Sequence, residues 1–169
     1  MSAREPQPTI PLIGTKSVTP PMTAGNSSDP SWVLSPATLT AAYSGNTSAV
    51  VRMGDLDSGT IFVSYTAGTN PTSFDFKLEY TGDDFQYSTP VNWFQETVDA
   101  VSNGTTTEYM QVRTFTNNSS LVAGTTYKFS LTLPITTAKG FRISAKETLS
   151  AGTAFGSVYI EAIPGQARS

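Results

Sequence analysis

The sequence predicts an all-β protein: an antiparallel β-sandwich or jelly-roll-like domain preceded by an extended, proline-rich N-terminal arm. Three observations carry this expectation. Apolar and polar residues alternate strictly in several segments after residue 46. Turn-forming residues separate those segments at short intervals. No segment offers the unambiguous helix that a parallel crossover needs. The boundary is drawn between an arm at 1–45 and a sandwich at 46–169.

Seven of the eleven prolines lie in the first block: Pro6, Pro8, Pro11, Pro20, Pro21, Pro30 and Pro36. Proline lacks a backbone donor and biases the residue before it towards extended conformations. No apolar period survives there, so one reading is a solvated tail. The other is an arm that orders along a neighbouring subunit. Ile10, Leu12, Ile13, Trp32, Val33 and Leu34 favour the second and are the candidate partner-binding residues, joined in the same block by Val18.

Period two then takes over. Strands are expected at 48–53 and 59–66. In Ser73–Tyr80 the side chains of Phe74, Phe76, Leu78 and Tyr80 share one face, with Asp75, Lys77 and Glu79 on the other. Residues 89–101 are ambiguous: Val91, Phe94, Val98 and Val101 fit a helix capped by Thr89, yet the segment suits a strand equally, and strand is preferred slightly. Another strand is expected at 106–116. Tyr127, Phe129, Leu131 and Leu133 repeat the alternation, Phe141, Ile143 and Ala145 do so again, and 155–163 supplies the last strand. Turn signals fall at Asp57–Gly59, Gly68–Pro71, Thr81–Asp84, Ser102–Gly104, Ala123–Gly124 and Lys139–Gly140. About eight short strands at this spacing are the mark of a sandwich.

Composition narrows function. The chain has no histidine and no cysteine. Ser-His-Asp and Cys-His arrangements, disulfides and thiolate zinc sites are therefore excluded. No nucleophile elbow, phosphate loop or dinucleotide fingerprint occurs. Asp75 and Glu79 share a face but have Lys77 between them, a pattern that solubilises a strand rather than flanking a cleft. Glu96 and Asp99 are weaker candidates. Asp55-Leu-Asp57 opens like a calcium loop but lacks the closing glutamate. Neither an enzyme nor a metal or cofactor site is expected.

Partners are narrowed in the same way. A net charge of -3, with basic residues scattered singly, argues against nucleic acid. Residues 1–20 hold no apolar leader core, and no 18-residue apolar run exists, so assembly in the cytosol and no membrane are expected. The Asn-x-Ser/Thr triplets at Asn26, Asn46, Asn103, Asn117 and Asn118 are then products of a composition rich in those residues. Trp32, Trp93, Tyr80, Tyr87 and Tyr109 are candidates for a sugar-stacking platform, but large aromatics are more often core or subunit contacts.

The proline-rich arm, the Ser/Thr/Gly-rich sandwich and the endings GFRISAK (140–146) and GSVYIEAI (156–163), in a chain with neither Cys nor His, resemble auxiliary virion proteins of tailed bacteriophages. Capsid decoration (cement) proteins are the nearest in size and style. The resemblance covers most of 46–163 and is one of composition and architecture. It implies a non-enzymatic protein of the virion, assembled in the host cytoplasm. Such a protein binds the major capsid protein, associates with itself as a dimer or trimer, and stabilises the shell by bridging subunits. The alternatives are a glycan- or receptor-binding module of a tail adhesin, and a structural component of the tail or neck.

Overall fold

Where apolar residues alternate, extended backbone can put every second side chain on one buried face, and antiparallel pairing satisfies the backbone between them. The computed structural model describes residues 10–18, 32–43, 51–52, 59–83, 92–95, 97–102, 105–110, 113–116, 120–133 and 139–164. Among these the chain forms β1 (Ile10–Ile13), β2 (Thr15–Val18), β3 (Trp32–Ser35), β4 (Ala37–Thr38), β5 (Val51–Arg52), β6 (Gly59–Thr66) and β7 (Pro71–Thr81). It continues through β8 (Phe94–Gln95), β9 (Thr97–Ser102), β10 (Thr105–Met110), β11 (Arg113–Phe115), β12 (Thr126–Leu133), β13 (Gly140–Leu149) and β14 (Ser157–Pro164). No described residue is helical. The ambiguous stretch at 89–101 therefore resolves, over its described part, as strand.

Two five-stranded antiparallel sheets form the body. In one, β6 lies between β12 and β14, and both β1 and β4 pair with the far side of β14. In the other, β13 pairs with β7 along its whole length; β5 extends β13, while β8 and β11 share the far side of β7. The long strands alternate between sheets along the chain, so the connections from β6 to β7, β12 to β13 and β13 to β14 each cross the sandwich. A separate hairpin, β9–β10, pairs from Ser102↔Thr105 outward; the intervening Asn103-Gly104 is a dipeptide that tight hairpins favour.

One core joins the two sheets. Ile61, Val63 and Tyr65 of β6 and Val158, Ile160 and Ala162 of β14 meet Phe74, Phe76 and Leu78 of β7 and Phe141, Ile143 and Ala145 of β13. Tyr65 stacks on Phe74 with ring centroids 4.6 Å apart, and Phe115 stacks on Phe129 at 4.7 Å. These are the faces that the alternation predicts.

The division at residue 45 does not follow the structure. Ile10 faces Ala162, Pro11 faces Glu161 and Ile13 faces Ile160, so β1 is part of the sandwich. Leu12 is the extra residue of a bulge between Pro11 and Ile13. A bulge breaks the alternation, and Leu12 and Ile13 are both buried despite being consecutive. Leu39, after β4, is buried in the same core. Burying each of these side chains contributes about 1.5–3 kcal/mol. Proline is tolerated at position 11 because β1 is an edge strand.

Between β1 and β4 the chain leaves the sheet and returns. Ile13 pairs with Ile160 and Ala37 with Val158, so both lie along the same side of β14, and the described residues 14–18 and 32–36 form the two stems of an excursion between them. Its stems β2 and β3 pair from Thr15↔Ser35 to Val18↔Trp32. The exit at Gly14 has φ of 82° and packs tightly: a Cβ there would lie 2.8 Å from the Ser35 carbonyl oxygen and 3.0 Å from the Tyr159 ring. Glycine is the residue that satisfies both demands.

Candidate functional site

The six candidate partner-binding residues separate into different environments. Leu12 and Ile13 are core residues, and Ile10 packs against that core. They serve the fold of this chain, which corrects their assignment to a partner surface. Trp32 and Val33 belong to β3, opposite Val18 and Ser17. Leu34, opposite Lys16, is exposed.

The excursion lies against the outer face of the β12–β6–β14 sheet. The Lys16 ammonium meets the Glu161 carboxylate at 2.9 Å, and the Tyr159 hydroxyl donates to the same carboxylate at 2.8 Å. Burial first, and that bond to Glu161 second, push the Tyr159 hydroxyl far above its ordinary value. Beside these contacts runs an open groove of about 360 Å³, lined by Leu34, Phe62, Ser64, Lys128, Ser130 and Tyr159. Its floor comes from two cross-strand rows, Tyr159–Ser64–Lys128 and Glu161–Phe62–Ser130. Phe62 and Leu34 remain 40% and 41% exposed, an apolar pair facing solvent beside a cation.

The opposite sheet turns a charged face outward, and that face is largely covered. The Arg142 guanidinium donates to Glu79 at 2.9 and 3.2 Å and lies over the Trp93 ring at 4.5 Å. Lys77 reaches Glu79 at 3.8 Å, and Lys146 reaches Asp75 at 3.9 Å. The Tyr43 ring sits under both ammonium groups, at 5.2 and 5.0 Å. Burial, then the nearby Asp75 charge, raises the Tyr43 hydroxyl. Asp75 also accepts from Ser73 and Thr148. Asp75 and Glu79 are thus held in ion pairs, chiefly with Lys146 and Arg142 of the neighbouring strand rather than with the intervening Lys77, and Asp75 is buried instead of lying on a solvated face. Trp93, one of the aromatics weighed for sugar stacking, has its face on Arg142, and Tyr80 packs against the core.

A third carboxylate escaped the sequence reading. Glu147 continues the inward alternation of β13 and is fully buried between the sheets. It accepts from the Tyr65 hydroxyl at 2.5 Å and from the backbone N–H groups of Gly68 at 2.8 Å and Gly156 at 2.5 Å. These three donors satisfy the buried carboxyl group, and they tie the β6–β7 connection to the start of β14. Glycine at both positions lets the loops approach: a Cβ on Gly156 would lie 2.0 Å from the Thr66 carbonyl oxygen, and one on Gly68 2.4 Å from that of Ala154. Tyr65 is pushed far above its ordinary value by burial and by this bond. Its polar sequence neighbours Lys146 and Thr148 made Glu147 read as one more surface charge; the hint was that it continues the inward positions of Phe141, Ile143 and Ala145.

A shallow cleft of about 390 Å³ lies over these glycines, edged by the hydroxyls of Thr38, Thr66, Thr69 and Ser157. Its backbone groups are spent internally, as in Thr69 N–H to Ala154 and Leu39 N–H to Gly156. Asp83, the remaining carboxylate with a described environment, accepts from the Asn92 backbone and side chain at 2.6 and 3.1 Å. Among the described residues no three acidic groups converge as a metal site would require. Asp55 and Asp57, the suspected calcium loop, lie outside the described residues, as do Tyr87, Glu96 and the side chains of Asp99 and Tyr109.

No protein-family model matches the sequence, and neither a curated protein nor a solved structure gives a match. The groove beside the excursion, with Leu34, Phe62 and Lys128, is the surface on which a functional reading rests.

Proposed function

We propose that this chain is a non-enzymatic structural protein of a virion, a capsid decoration or cement protein that binds the shell and stabilises it by bridging capsid subunits. The observation that carries this reading is the paired stem of β2 and β3 with its groove. A two-stranded projection is rooted in the core at both ends, by Ile13 and by Leu39 just beyond β4. It places apolar surface on the outside of a sheet. Each carboxylate with a described environment is held in a bond that maintains the fold, so the surface offers shape and apolar contact rather than a poised acid or base.

The partner in this reading is the major capsid protein, with self-association into a dimer or trimer and assembly in the host cytoplasm. Neither nucleic acid nor membrane takes part. Repetition supplies strength: many copies on a symmetric lattice turn modest single contacts into high avidity.

The test mixes the purified chain with capsids of its own virus prepared without it, then measures occupancy and the temperature or osmotic shock at which particles break. Saturable binding at symmetric positions, with a raised disruption temperature, is the expected result. Absence of capsid binding together with tight binding to a host polysaccharide overturns the reading in favour of a tail adhesin. Binding confined to isolated tails or necks moves the protein to those structures.

A further inference from the structure

Strand β12 is eight residues long and, among the described residues, pairs on one side only, with β6. No described residue pairs with its other side, whose row of backbone donors and acceptors is a template for another strand. Such edges are commonly blunted by short length, by proline or by several charges. Thr126–Leu133 contains no proline and one charge, Lys128.

The side chains around this edge are incompletely covered. On the inner face Tyr127, Phe129 and Leu131 are half-buried, whereas the inward residues of β6 and β13, such as Ile61, Val63 and Ile143, are buried. Phe115 packs over Phe129 and Tyr127 from the opposite sheet, so they are roofed but open laterally. On the outer face Lys128 and Ser130 border the groove that holds Phe62 and Leu34.

Charge selects the occupant. Lys16, Lys77, Lys146 and Arg142 each meet a carboxylate, and Lys128 meets none among the described residues. A second copy of β12 would not supply one. In an antiparallel two-fold pairing directly opposed residues share a face, so Lys128 would oppose Thr126, Lys128, Ser130 or Thr132.

We propose that the β12 edge captures an extended strand from a different protein, about six residues long. Its alternate apolar side chains extend the inner face beside Tyr127, Phe129 and Leu131, and an acidic residue on the outer face meets Lys128. Main-chain bonds supply affinity, while the apolar alternation and the single carboxylate set specificity and register. Strand capture holds whether or not the partner is a capsid subunit.

The experiment uses the full chain and three synthetic seven-residue peptides of alternating valine and threonine. One carries glutamate at a central outward position, a twin carries lysine there, and a third has a central proline. Amide hydrogen exchange of the free chain is expected to show alternate β12 amides, those facing away from β6, exchanging fast. The glutamate peptide is expected to protect those amides and to bind at least 5-fold more tightly than its lysine twin, while the proline peptide does not bind. Lys128→Ala removes the preference and Lys128→Glu inverts it. Full protection of β12 in the free chain overturns the proposal, because the edge is then already covered. Failure of the glutamate peptide to bind, equal binding of all three peptides, or an unchanged preference in Lys128→Glu also overturns it. Protection that rises with protein concentration alone assigns the edge to a second copy instead.

Discussion

Replacing Leu12 by alanine asks whether the N-terminal block belongs to the sandwich. Leu12 is 1% exposed, in the core beside Ile13 and against β14. Removing a buried leucine side chain loses its transfer energy and leaves a cavity, for a cost of about 2–5 kcal/mol. In a domain of this size each kcal/mol moves the midpoint by about 2–4 °C, so Leu12→Ala should lower Tm by about 4–20 °C. Leu34→Ala is the control. At 41% exposure it should change stability by less than about 0.5 kcal/mol. Both variants are measured by calorimetry and by urea unfolding followed through tryptophan fluorescence. A chain beginning at Gly45, which lacks Leu12, Ile13 and Leu39 together, should show no cooperative transition. If Leu12→Ala costs under about 1 kcal/mol, or the truncated chain melts cooperatively, β1 is not part of the core and the reasoning fails.

Two further outcomes follow from the buried polar groups. Glu147→Gln keeps one acceptor but turns an amide donor towards a backbone N–H, and should cost about 1–3 kcal/mol in urea unfolding; Gly156→Ala should cost at least as much because the Thr66 backbone cannot move aside. The tyrosines give a pH dependence. Tyr65 and Tyr159 hold their protons in the folded chain at pH values where the unfolded chain, titrating near 10.0, has lost them. Stability from this source is therefore full below pH 10 and falls above it, by about 1.4 kcal/mol per pH unit for each tyrosine. Tyr159→Phe should halve that slope. Tyrosinate absorbance rising near pH 10 from all seven tyrosines of the still-folded chain would contradict it.

The two sheets were legible wherever alternation is unbroken. Phe74, Phe76 and Leu78, and likewise Phe141, Ile143 and Ala145, announce their faces because backbone period and burial coincide. Strand β1 was illegible for a specific reason. Pro11 reads as a breaker, and the bulge puts Leu12 and Ile13 on the same side, so the period vanishes just where the strand joins the core. Strand β4 has two residues, too few to show any period, whereas β5 falls within the strand expected at 48–53. At the groove, Leu34 was visible as an apolar residue without a pattern, whereas Phe62 was hidden because an outward position on an alternating strand reads as polar by default. Glu147 is the converse, a charge at a position reserved for apolar residues, and only three-dimensional proximity to two loop amides explains it.

The pairing of β1 with β14 sets a schedule for synthesis. Ile13 waits for Ile160, and at about 5–20 residues per second the interval is on the order of 10–30 s. During that time β6 can pair with β12 on one side only, since β14 completes that sheet and anchors the Glu147 contact through Gly156. The sandwich therefore closes after translation of the last strand rather than during it. Until then, apolar β1 and the unpaired flank of β6 are exposed to chaperones and to other nascent copies. Slower elongation lengthens that exposure without touching the stability of the finished fold.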